Sequence, residues 1–210
     1  MAALYVGIAL LVGLVAREYA RAKTADALGD PNPRRWGWLS LRPRAWVDPF
    51  GSLILPALIV ILWAAGQQFV PFAYAKPLPL DPSSLRRQPR DVVLISVAGP
   101  LANLVLAVVA AVALRLGVAE AAQPCQALER FVLANLSLAV FHLMPIPGLD
   151  GARLLGLVMP PRPREVYRNL DAYLILFILL IFFLLGGIAL GIVQALTNAL
   201  MDVIVGPFRC

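Results

Sequence analysis

Four apolar stretches dominate the chain: Ala2–Leu28, Val92–Val118, Phe131–Met144 with its flanks, and Ala172–Val205. A span of the bilayer core needs about 20 apolar residues, so these segments predict an all-α polytopic membrane protein. Composition agrees, with 60% hydrophobic residues, 14% charged residues and a mean hydropathy of +0.81. Soluble domains lie nearer half apolar and a quarter charged. The first stretch has no basic residues ahead of it and runs straight into charge, which reads as a retained first helix rather than a cleaved signal. The last is too long for one straight span, and Gly186, Gly187 and Gly191 divide it. A fifth run, Phe50–Gly66, is short and carries Pro56. It is either a short span or a hairpin that returns to its own side, which leaves four to five spans.

Loop charge favours the return. Arg34, Arg35, Arg42 and Arg44 lie in Pro31–Pro49, and Lys76, Arg86, Arg87 and Arg90 in Pro71–Asp91. A full crossing between them would put two basic loops on opposite faces, against the positive-inside bias. With a return, both loops and the Arg153–Arg168 loop are cytoplasmic, while the N-terminus and the Glu120–Glu129 loop lie outside. The net charge of +6 is then orientation signal. No basic tract interleaved with aromatics points to nucleic acid. Alternation in "GWLSLRPRAWV" (Gly37–Val47) suggests a small interfacial β-hairpin, limited by Pro43. Cys125 and Cys210 make no zinc or redox pattern and read as incidental thiols. No internal repeat or linker divides residues 1–210, so a single domain is expected.

Inside the first span lies the costly part, "REYARA", with Arg17, Glu18 and Arg21. A charge at the centre of a membrane helix costs roughly 2.5–3.5 kcal/mol on insertion scales. Downstream stand "VAGPLANLVLA" with Asn103, and "ANLSLAVFHLMPIPGLDGARLL" with Asn135, His142, Pro145, Pro147 and Asp150. Two prolines and two glycines in "MPIPGLDG" cannot all stay helical. Broken backbone at membrane depth is tolerated only where protein or water covers it.

In order and spacing these segments, with "LGDPNPRRWGWLSLRPRAWVDPFGSLILP" and "FAYAKPLPLDPSSLRRQPRDVVLIS" between them, resemble the site-2 protease family of intramembrane zinc metalloproteases. The likeness covers about Leu10 to Leu157. It implies that "REYAR" stands where the family has HExxH, two zinc-binding histidines and a general base. Asp150 matches the third ligand and Glu18 the base. Arg17 and Arg21 stand in the histidine positions, and guanidinium has no lone pair to give a metal. The resemblance thus implies a vestigial site at Arg17, Glu18, Arg21 and Asp150, with no cofactor and no hydrolysis. It also implies a groove near Asn103, Asn135, His142, Pro145 and Pro147 for a transmembrane segment of a partner membrane protein, in a prokaryotic plasma membrane.

Charge balance makes the substitution intelligible. Zn²⁺ with one Glu and one Asp sums to zero, as do two arginines with the same acids. The arginines either clamp the Leu-Asp-Gly loop to the first helix or snorkel to the interface. The alternative activity is a working metalloprotease on Glu18, His142 and Asp150. His142, the only histidine, otherwise replaces an asparagine of the family. Asn103 and Asn135 hold substrate backbone or bond helix to helix.

Overall fold

A computed structural model describes residues 1–40, 43–67, 70–118, 121–173, 176–178, 180, 186–206 and 210. Its helices are α1 (Ala2–Leu28), α2 (Asn32–Arg35), α3 (Leu55–Ala64), α4 (Arg90–Arg115), α5 (Ala122–His142), α6 (Asp150–Val158), α7 (Pro161–Asn169) and α8 (Gly186–Ile204). The chain is all-α among the described residues, and α1 packs against α3, α4 and α5 while α8 lies on α5.

Three described helices are long and apolar enough to cross a membrane: Ala2–Leu28, Arg90–Arg115 and Gly187–Ile204. The expected count of four to five is not reached on those criteria. At 21 residues α5 has the length, but its first turns carry Gln123, Gln126, Glu129 and Arg130. The short apolar run is a single rod, a π-helical turn over Pro49–Ile54 continuing into α3. Asp48 caps it by accepting from the Phe50 and Gly51 amides at 3.0 and 2.7 Å, as an N-cap carboxylate does.

The course of the chain beyond α3 decides where the rod leads. After Gly66 (φ +84°) the backbone comes back alongside it. The Tyr74 amide donates to the Gly51 carbonyl at 3.1 Å and the Lys76 amide to the Trp46 carbonyl at 2.9 Å. Ser52 Oγ donates to the Tyr74 carbonyl at 2.8 Å. Lengths match: helix rises about 1.5 Å per residue and extended chain about 3.3 Å, so half as many extended residues retrace the rod. Both basic loops therefore sit at one end of α1. Asp30, fully buried, joins them there. It accepts from the Asn32 amide and from the Asp81 amide, both at 2.9 Å.

Two expectations are corrected. Gly37–Val47 holds no strand among its described residues, with Leu41 and Arg42 outside them. Instead the Trp38 amide donates to the Pro33 carbonyl at 2.8 Å and the Ser40 amide to Gly37 at 3.1 Å, and Pro43–Ala45 is one 3₁₀ turn. Local bonds, with Gly37 at φ +76°, take up the backbone groups that a hairpin would have paired. The cysteines are not incidental thiols either: Cys125 and Cys210 are joined as a disulfide across 85 residues. It ties the chain end beyond α8 to the first turn of α5. There Met201 and Val205 also pack with Ala107, Ala110, Val132 and Leu136. Removing the bond with Cys125→Ser is expected to cost about 2–4 kcal/mol. Thermal melting in detergent, with and without reductant, should show the wild type lowered to the level of the variant and the variant unchanged.

Candidate functional site: a buried ionic cluster on the first helix

Residues 17, 18 and 21 share one side of α1, since positions three and four apart stack on a helix face. That face turns inward. Arg17, Glu18 and Arg21 are 3%, 1% and 4% exposed, and Asp150 is 1% exposed. The arginines do not snorkel.

Asp150 opens α6 after an irregular passage from the end of α5. Along it the Ile146 amide donates to the Met144 carbonyl at 2.8 Å and the Leu149 amide to the Ile146 carbonyl at 3.0 Å. Gly148 adopts φ +90°, open to glycine at little cost. At Gly151 a Cβ would run into the Leu143 and Met144 carbonyls. The Leu-Asp-Gly sequence is thus what lets the chain fold back and point a carboxylate at α1.

Each arginine meets both acids. Arg17 Nη1 pairs with Glu18 Oε1 and Arg17 Nη2 with Asp150 Oδ2. Arg21 Nη1 donates to Glu18 Oε2 at 3.1 Å, and Arg21 Nε lies 3.1 Å from Asp150 Oδ1. The last contact is an ion pair without hydrogen-bond direction, because both atoms lack a hydrogen-bond partner. The group is a closed ring with no net charge. An opposite pair about 4 Å apart is worth about 4 kcal/mol at an effective dielectric of ~20 before desolvation is subtracted.

Room for the arginine stems comes from α4. A Cβ at Gly99 would stand 2.9 Å from Arg17 Cγ and 2.9 Å from Arg21 Cδ. The glycine of "AGPLAN" is therefore part of the site, a role that the sequence alone does not assign. Gly13 does the same for α5, where a Cβ would lie 2.7 Å from Asn135 Oδ1. A small residue facing a long side chain across two helices is the signal, legible only once the pairing is known.

The other expected site residues gather nearby but do not join the ring. His142 is 1% exposed, and its Nδ1 lies 2.8 Å from the Leu138 carbonyl. A carbonyl only accepts, so Nδ1 carries the proton and Nε2 the lone pair. That Nε2 has no hydrogen-bond partner. Asn135 Nδ2 donates to the Phe131 carbonyl at 2.9 Å, a bond within its own helix. Asn103 is fully buried with neither side-chain atom bonded. Pro147 is buried and Pro145 exposed. The cavity beside Ile146, between Phe72, Phe141, Leu190 and Val193, holds about 20 Å³, too little for a polypeptide strand.

The donor set does not fit zinc. Zinc sites use thiolate, neutral imidazole or carboxylate, and two of the positions here carry guanidinium. Both carboxylates are already engaged, and no three His, Cys, Asp or Glu side chains converge among the described residues.

No protein-family model and no solved structure matches the chain. It is 31% identical over 186 residues to the "Putative zinc metalloprotease YwhC" of Bacillus subtilis (strain 168), covering 85% of this chain and 80% of that one. It is 32% identical over 173 residues to the "Putative zinc metalloprotease Rip2" of Mycobacterium tuberculosis (strain ATCC 25618 / H37Rv), covering 82% of this chain and 64% of that one. The protein of the same name in Mycolicibacterium smegmatis (strain ATCC 700084 / mc(2)155) is 34% identical over 194 residues, with 84% and 69% covered. Likeness of that extent to these relatives, over most of a chain whose first helix carries "REYAR" against a buried Leu-Asp-Gly aspartate, shows that this chain belongs to the site-2 protease family.

Proposed function

We propose that this chain is a member of the family without peptidase activity, acting by binding membrane-protein partners as a subunit, assembly factor or regulator. One observation carries the reading: Arg17 and Arg21 close a neutral ring with Glu18 and Asp150 where the family would hold a metal. Activation of water in metallohydrolases rests on the cation's lowering of the water's pKa. Glu18 and Asp150, each held by arginine, offer no equivalent. The arginines bind the Leu-Asp-Gly loop to α1 in the metal's place.

A partner's transmembrane segment would approach along the broken backbone at Pro145, the exposed member of the set Asn103, Asn135, His142, Pro145 and Pro147. The buried amides of Asn103 and Asn135, with side-chain atoms that make no hydrogen bond, would give such a segment hydrogen bonds that lipid cannot. Deep contact with Asn103 or His142 requires the elements over them to move aside. The prokaryotic plasma membrane is the setting that this reading assumes.

A second reading keeps hydrolysis, with zinc on Glu18, His142 and Asp150. The names of the relatives and the unpartnered Nε2 of His142 favour it. Zinc analysis of the chain purified from its native membrane separates the two. The first expects far less than one zinc per chain and the co-isolation of a stoichiometric membrane protein. About one zinc per chain, lost in His142→Ala, would establish the second.

A further inference from the structure

Along α5 from Glu129 to Ser137 lies a cavity of about 220 Å³ between α3, Pro71, α5 and α8. Its polar wall is made of Glu129, Arg130, Ser137, Gln194 and Asn198, with Trp63 at its side. The ionic ring has no part in it. Glu129 and Arg130 are neighbours on a helix, and adjacent positions do not face each other. Neither forms an ion pair among the described residues. The Arg130 guanidinium instead lies 5.1 Å from the Trp63 ring centroid, a stacking that holds the cation in place without neutralising it. Its Nε has no hydrogen-bond partner. Ser137 is fully buried, and its Oγ too is without one.

Those features describe a ligand with an anionic group for Arg130, an ammonium for Glu129 and an oxygen for Ser137, beside Gln194, whose Nε2 donates to Asn198 Oδ1 at 3.3 Å. Position narrows the class. Tryptophan at the end of an apolar helix marks the headgroup level of a bilayer, and Trp63 lies in the last turn of α3. The walls α3 and α8 carry exposed Leu58, Ile61, Ile192 and Leu196, a surface suited to acyl chains. Cys125, one helical turn before Glu129, is in the disulfide, and disulfides persist on the oxidising side of a membrane. We propose that this cavity binds the headgroup of an outer-leaflet ethanolamine phospholipid, its phosphate on Arg130 and its ammonium on Glu129.

The test uses the intact, delipidated chain in detergent, titrated separately with phosphatidylethanolamine, phosphatidylcholine and phosphatidylglycerol, with binding read by native mass spectrometry. One phosphatidylethanolamine per chain is expected, at least tenfold tighter than either other lipid. Glu129→Gln should abolish the preference over phosphatidylglycerol. Arg130→Gln should weaken both by tenfold or more at an unchanged melting temperature. If Arg130→Gln fails to fold, Gln194→Leu on the same wall is expected to weaken phosphatidylethanolamine at least threefold. Equal binding of the three lipids, a preference that survives Glu129→Gln, or no weakening in the folded wall variant overturns the proposal. Free phosphoethanolamine provides the last arm. Failure to displace the lipid supports a lipid site, and displacement at equal concentration would assign the cavity to a soluble zwitterion.

Discussion

Asp150→Asn should destabilise the protein by about 3–5 kcal/mol, the cost of removing one partner from a buried ion pair. The substitution keeps the shape of the side chain and takes away its charge. Arg17 and Arg21, both under 5% exposed, would then share Glu18 alone, and one positive charge would stay uncompensated at membrane depth. Reversible unfolding in mixed micelles of increasing sodium dodecyl sulfate measures the loss. Salt should leave it nearly unchanged, because buried pairs are screened far less than exposed ones. By the same logic, an apolar replacement of both members of a pair is often neutral. Arg17→Met with Asp150→Leu leaves Glu18 and Arg21 balanced, and should recover more than half of what Asp150→Asn loses. A cost below about 1 kcal/mol for Asp150→Asn would mean that the ring does not clamp the loop; exposed ion pairs contribute at that level.

That clamp marks the limit of what the residues alone disclose. "REYAR" and "PIPGLDG" give the two halves of the site, because a metal-ligand spacing on a helix and a Leu-Asp-Gly turn are local patterns. Whether arginine turns inward or snorkels is not local. It depends on Gly99, on another helix, leaving room for the two stems. Return of the chain after α3 is legible from the two basic loops, since charge asymmetry reports which ends share a side. The hairpin expected over Gly37–Val47 fails because alternation also suits a run of turns, and Gly37 and Pro43 break a ladder before it begins. The disulfide is hidden for a similar reason. Cys125 and Cys210 are far apart in sequence, and only the course of α8 along α5 brings them together.

Arg17→His with Arg21→His should take the chain from far below one zinc to about one zinc per molecule. Two imidazoles four residues apart stack on one helix face, and with Asp150 they complete a three-ligand set that leaves a position open. The acids would no longer be held by guanidinium, and Gly99 would face a shorter side chain than the one it now accommodates. Each single variant should bind no zinc, because the arginine that remains still pairs with both carboxylates and brings positive charge next to the metal. Metal affinity should fall as pH drops through the imidazole range, since only neutral imidazole ligates. Zinc in either single variant equal to that in the double variant would show that one guanidinium does not exclude the metal, and the charge-for-charge account of the ring would be wrong. Cleavage is a separate outcome. Zinc regained without proteolysis of a membrane-embedded peptide would show that the ligand set alone does not confer hydrolysis.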